Sequence, residues 1–215
     1  MARPAGNKVF TRQMTFEGYF ALINSLDEKI AKTSLLKNKS VKLELNKLEA
    51  IKAVITILIF TGLRISETRL ITIGDIRKAI KYLSFVVYEQ KKKKYRKVEI
   101  SKTGAKAFKL VFKKYLDEIS DNNLVIRRYK RIQTPYSPNY LQNMINNYIH
   151  SVLGEEYTSH SFRRLVITEV IKTHGVEYAK AVANHSKIET TFIYKNRPEE
   201  GSMGEALEAM WKNRK

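Results

Sequence analysis

Hydrophobic positions recur at helical spacing over most of this chain. They fall first at Phe16, Tyr19, Phe20, Ile23, Leu26 and Ile30, the stripe of an amphipathic helix. The polar, basic stretch 37–42 reads as a loop. Asn46, with Glu49 three residues on, has the form of a helix cap with its reciprocal acid. The helix it opens runs through the apolar segment AVITILIF and is stopped by Gly62. Residues 65–70 read as a further short helix. The pattern then turns β-prone in YLSFVVY (82–88), with a shorter extended piece at 97–100 and a basic hairpin loop between them. Thr103 caps a helix bearing Phe108, Val111, Phe112, Leu116 and Ile119. Ser137 and Pro138 open another, proline taking the first helical position, which ends at Gly154. Thr158 or Ser159 starts a helix that Gly175 closes; short helices follow at 177–184 and 188–194, then the amphipathic segment GEALEAMWKNRK. No repeat and no Pro/Gly/Ser linker interrupts the chain. The expectation is one α+β, mainly α domain with a small antiparallel sheet: a basic lead over 1–13, the domain over 14–198, and a C-terminal segment over 199–215.

Charge changes the picture. The 215 residues carry 40 Lys+Arg against 21 Asp+Glu, a net +19, which favours a polyanionic partner through phosphate neutralisation and counterion release. Twelve tyrosines and nine phenylalanines argue for a packed domain rather than a disordered basic tail. Cysteine is absent, so disulfides and thiolate chemistry are excluded, and four histidines give no zinc-finger spacing. No signal-peptide pattern opens the sequence, and its longest apolar run is too short to span a bilayer. A soluble intracellular, DNA-associated protein without a metal or other cofactor is expected.

The candidate chemistry lies in four places: Arg64 and Glu67 in TGLRISE, the lysine-rich KKKKYRK (91–97), His160 and Arg163 in HSFRR, and His185 with Tyr194 in NHSKIETTFIY. Guanidinium is planar, permanently charged and forked, so two arginines can hold a phosphodiester and stabilise the added charge of a pentacoordinate transition state. A tyrosine hydroxyl can attack the phosphorus, and a lysine or histidine can protonate the departing sugar oxygen. Fixed cations can do the work of a metal ion. His160 and Arg163 share a helix face by their i,i+3 spacing, and Arg64 follows a glycine at the end of a buried helix. Taken singly, each motif has a plainer reading: a helix-turn-helix element, a surface pair, a core histidine, a packed tyrosine, a solvated basic patch. Their conjunction, in one basic chain, points to DNA strand transfer.

Those motifs resemble the tyrosine recombinase (phage integrase) family from about residue 10 to residue 194. TGLRISE is similar to the family's first arginine box, giving Arg64 and Glu67. HSFRR resembles its H-x-x-R box, giving His160 and Arg163, and NHSKIETTFIY its G-H-S-x-x-x-T-T-x-x-Y segment, giving His185 and the nucleophile Tyr194. Asn184 stands where glycine is usual and Arg164 where histidine is frequent. The family's catalytic lysine lies on a β-hairpin between the first two boxes; counting back from Val98 selects Lys91, with Lys92, Lys93 and Lys94 open to a small change of register. The resemblance implies a tyrosine-recombinase-like catalytic domain and site-specific recombination of double-stranded DNA through a 3′-phosphotyrosine. It also implies a homotetramer on paired sites. Lys92, Lys93, Lys94, Arg96 and Arg164 are expected to contact DNA. Leu207, Met210 and Trp211 are expected to anchor the C-terminal segment, on a neighbour or back on its own domain. The separate N-terminal DNA-clamping domain of most members is expected to be absent, naturally or by trimming. The alternatives are a type IB topoisomerase-like enzyme, or a non-catalytic DNA-binding protein on the same fold.

Overall fold

The computed structural model describes residues 11–37, 39–89, 93–117, 120–183 and 202–212. Helix α1 (Phe16–Ser34) opens on Thr15, whose hydroxyl accepts from the Gly18 N–H at 3.0 Å, and buries Phe16, Tyr19, Leu22 and Leu26. It packs on α2 (Lys39–Thr61), the central helix, in which Ile51, Val54, Ile55, Ile57, Leu58 and Ile59 are all buried. This helix starts well before Asn46. Val41 and Leu48 are buried on its face, so apolar periodicity carries the helix through the expected loop and leaves Asn46 in its interior.

After α2 come the one-turn helix α3 (Ile65–Thr68) and α4 (Ile73–Tyr82). A reciprocal cap between Thr72 and Asp75 opens α4. Strands β1 (Ser84–Glu89) and β2 (Lys94–Glu99) then form an antiparallel pair with Val87 opposite Arg96 and Glu89 opposite Lys94. Half of the expected hairpin loop is therefore strand.

Helix α5 (Lys102–Val111), capped by Ser101 rather than Thr103, and the single turn α6 (Lys113–Leu116) lead to a second small hairpin, β3 (Arg127–Arg128) and β4 (Arg131–Pro135). The long helices α7 (Pro138–Leu153) and α8 (Ser159–Ala183) follow. Gly175, at φ 83° and ψ 177°, breaks α8 as the sequence predicts, since that backbone region is open essentially to glycine alone. The short helix expected at 188–194 lies outside the described residues. Helix α9 (Ser202–Lys212) lies against α8 and α5. Its Leu207 and Met210 are buried, and Trp211 stacks on Phe60 (centroids 4.6 Å) with Phe16 edge-on at 5.1 Å. In the single chain, then, the C-terminal segment's apolar side is docked on its own domain. Among the described residues the fold is mainly helical α+β with two small antiparallel sheets. No described helix is long and apolar enough to cross a membrane.

Candidate active site

The C-terminal end of α2 sets the site. Its last turn is fastened by the Thr61 hydroxyl, which donates to the Ile57 carbonyl at 2.6 Å and accepts from the Leu63 N–H at 3.2 Å. Gly62 then turns the chain out of the helix at φ 63°. That turn aims the Gly62 carbonyl at Arg163, whose Nη1 donates to it at 2.6 Å. Nη2 of the same guanidinium donates to the Ala183 carbonyl. Arg163, only 5% exposed, thus joins α2, the body of α8 and the end of α8 in a single fork. Ala183 stands two residues before His185, so this fork grips the chain just ahead of that motif.

Arg64 is the N-cap residue of α3 and Glu67 its third residue. The Glu67 carboxylate accepts from the Arg64 backbone N–H at 2.7 Å, and its Oε1 lies 3.8 Å from Arg64 Nη1. Glu67 thus holds Arg64 by main chain and side chain together, from a position 4% exposed. A second buried carboxylate, Glu89 of β1, also comes within 3.8 Å of Arg64 Nη1. Arg96 of β2, expected among the DNA contacts, turns inward instead: its Nη2 is 3.3 Å from both oxygens of Glu67. The pleat explains this, because Arg96 sits opposite the buried Val87. Neither Glu89 nor Arg96 stood out for this role in the sequence, where a glutamate before a lysine run and an arginine within it look like surface.

His160 lies one helical turn before Arg163 on α8, exposed to solvent as a residue. Partial withdrawal of its ring from water, then the charges of Arg163, Arg64 and Arg164, push its pKa below the ordinary 6.5. Burial, and next the charge of Arg64, bring the Arg163 guanidinium down to about 10, with Glu67 and Glu89 opposing and Arg96 adding to the fall. Arg64 and Arg163 therefore repel each other within one small region, and their charge opposes protonation of His160 beside them. Buried positive charge at Arg163, with the partly exposed Arg64 and the exposed His160 beside it, has the chemistry to receive an anion.

Lys93 and Lys94 lie exposed on the hairpin beside the site, and Arg164 is exposed on α8 with its guanidinium donating to the Thr11 carbonyl. Lys91, Lys92, His185 and Tyr194 lie outside the described residues. Among the described residues no group of three or more His, Cys, Asp or Glu could hold a metal ion. A pocket of about 370 Å³ lies beside Glu67, between Thr72, Asp75 and the hairpin tyrosines Tyr88 and Tyr95.

Comparison with known proteins agrees with this fold. The phage integrase family model matches residues 34–200. No curated protein matches the sequence significantly. Among solved structures, XerA recombinase superposes with a TM-score of 0.60 at 16% identity, over 100% of this chain and 67% of that one. A XerH site-specific recombinase bound to difH substrate gives 0.56 at 16%, over 87% and 51%. A lambda integrase dimer on a COC′ core site gives 0.55 at 15%, over 88% and 66%. The chain thus spans about half to two-thirds of these solved chains.

Proposed function

The chain belongs to the phage integrase family, and from that premise we propose that it is a site-specific recombinase, cutting and rejoining double-stranded DNA through a 3′-phosphotyrosine. The observation that carries the reading is that Arg64, at the turn after α2, lies within reach of the charge of Arg163 and His160 on α8, where burial and then neighbouring positive charge make Arg163 and His160 more acidic. A phosphodiester relieves that repulsion, and the pentacoordinate transition state, with more charge on its equatorial oxygens, relieves it further.

In this mechanism Arg64 and Arg163 bracket the scissile phosphate and His160 donates to a non-bridging oxygen. The Tyr194 hydroxyl loses its proton to solvent as its oxygen attacks phosphorus, the bond to the 5′-oxygen breaks, and Lys91 delivers a proton to that leaving oxygen. His185 supports the phosphate or the tyrosine, and Glu67 holds Arg64 in place. Lys92, Lys93, Lys94 and Arg164 meet the DNA backbone. The phosphotyrosine keeps the bond energy, so the freed 5′-hydroxyl of a second strand can reverse the step without ATP. Strand exchange calls for two DNA sites and four copies of the chain, and we propose a homotetramer working on DNA inside the cell. No step calls for a metal ion.

The test is covalent trapping on a nicked duplex taken from DNA flanking the gene. The nick lets a short 5′-hydroxyl fragment diffuse away and leaves the protein attached. The reading predicts a protein–DNA adduct on denaturing gels that forms in EDTA. Absence of an adduct on every flanking segment, or a strict requirement for magnesium in the covalent step, would overturn it.

A further inference from the structure

The β1–β2 hairpin contributes two charged side chains to the interior rather than to the DNA surface. Glu89 is 2% exposed, and the Arg96 side chain 13%. They lie on one face of the hairpin, Arg96 opposite Val87 and Glu89 opposite Lys94. With the arginine-box residues they make a chain of alternating charge. Glu89 Oε1 is 3.8 Å from Arg64 Nη1, Glu67 Oε1 is 3.8 Å from the same nitrogen, and Arg96 Nη2 is 3.3 Å from both oxygens of Glu67. Arg96 Nε is buried and has no hydrogen-bond partner.

The order of charges matters for a phosphate receptor. Two buried carboxylates around Arg64 fix its direction, but by themselves they would leave that group of three with a net negative charge, facing an anionic substrate. Arg96 offsets one of them from the far side of Glu67. Counting only these five described residues, Arg64, Arg96 and Arg163 against Glu67 and Glu89 leave one net positive charge. We propose that Arg96 and Glu89 are a matched pair of positioning residues: Glu89 braces Arg64, and Arg96 holds the second carboxylate, Glu67, so that Arg64 is oriented without being neutralised toward the scissile phosphate. Arg96 touches no reacting atom in this scheme; it acts through Glu67. This inference rests on the phosphodiester chemistry proposed above.

The experiment compares single-turnover adduct formation by the full chain, at DNA concentrations well below saturation, on two nicked substrates. One carries the natural scissile phosphodiester. The other carries a methylphosphonate there, in which a methyl group replaces a charged oxygen and the linkage is neutral. The readout is the ratio of the two rates, which a loss of folded protein or of DNA affinity leaves unchanged. Arg96→Gln should lower the ratio roughly ten- to thirtyfold, the effect of removing a unit charge about 8–10 Å from phosphorus at an effective dielectric constant near 20. Glu89→Gln should raise it, and the double variant should return it to within about threefold of the wild-type value, because one charge of each sign has gone. Should Arg96→Gln fail to fold, the upward shift in Glu89→Gln carries the test alone. Unchanged ratios in the single variants would overturn the proposal and reduce the pair to a structural brace. An absence of adduct with the wild-type chain on either substrate would instead overturn the parent reading, and this one with it.

Discussion

A single ring, that of His160, reports on the cationic site most simply. Its pKa is held down by withdrawal from water and by Arg163, Arg64 and Arg164. The folded chain therefore binds that proton less readily than the unfolded chain does, and stability present at neutral pH is lost as pH falls through the ordinary 6.5 toward the lowered value. A phosphate in the site acts in the opposite sense, drawing the proton on. DNA affinity should thus rise as pH falls from about 7.5 to about 5.5, with proton uptake on binding, and His160→Gln should flatten the rise. Titration of short duplexes at constant ionic strength checks this; an equal pH dependence in both proteins would contradict it. Arg64, Glu67, His160 and Arg163 were legible as a set because their motifs keep fixed spacing around a glycine and along one helix. Arg96 was not. In a run of seven residues, six of them basic, charge alone cannot say which side chain turns inward, and only the pairing of Arg96 with Val87 decides it.

At the scale of elements, the join between α2 and α3 matters most. Gly62 has φ 63°, and a Cβ there would meet Val166 Cγ1 at 3.0 Å. Gly62→Ala should cost about 1–2 kcal/mol from the left-handed backbone alone, with crowding against α8 added. It should also disturb the carbonyl that accepts from Arg163. The expected outcome is a lower urea midpoint together with slower adduct formation on saturating DNA; a variant as stable and as fast as the wild type would show that the turn does not set the site. The helix around this join was readable from the run 53–60 and its glycine stop. The start of α2 was not, because Asn46 mimics a cap inside a longer periodic stripe that begins with Val41. Helix α4 and the β3–β4 hairpin were not expected from the sequence. The former depends on a cap between Thr72 and Asp75, and the latter is approached by contacts from elsewhere in the chain, such as the Val125 N–H donating to the Ile71 carbonyl at 3.0 Å and Arg127 over the Tyr115 ring.

For the molecule as a whole, the net charge of +19 makes phosphate contacts the main source of affinity. A footprint of about 6–10 phosphates should weaken binding by roughly 10³–10⁵ between 50 and 200 mM salt, and a flat salt dependence would contradict it. The same charge gives no site specificity, which must come from base contacts and DNA shape. Assembly bears on α9, whose Trp211 sits against Phe16 and Phe60 of its own chain; composition could show that helix to be amphipathic but not which surface covers it. In the proposed reaction this basic helical domain becomes covalently joined to DNA through one tyrosine. The most direct measurement is to trap the adduct on a nicked site, digest protein and DNA, and identify by mass spectrometry the peptide that retains a nucleotide. The account predicts a single modified peptide carrying the nucleotide on Tyr194, and no adduct from Tyr194→Phe at unchanged DNA affinity. A nucleotide on another residue, Tyr178 or Tyr157 for instance, or an adduct that survives in Tyr194→Phe, would contradict it.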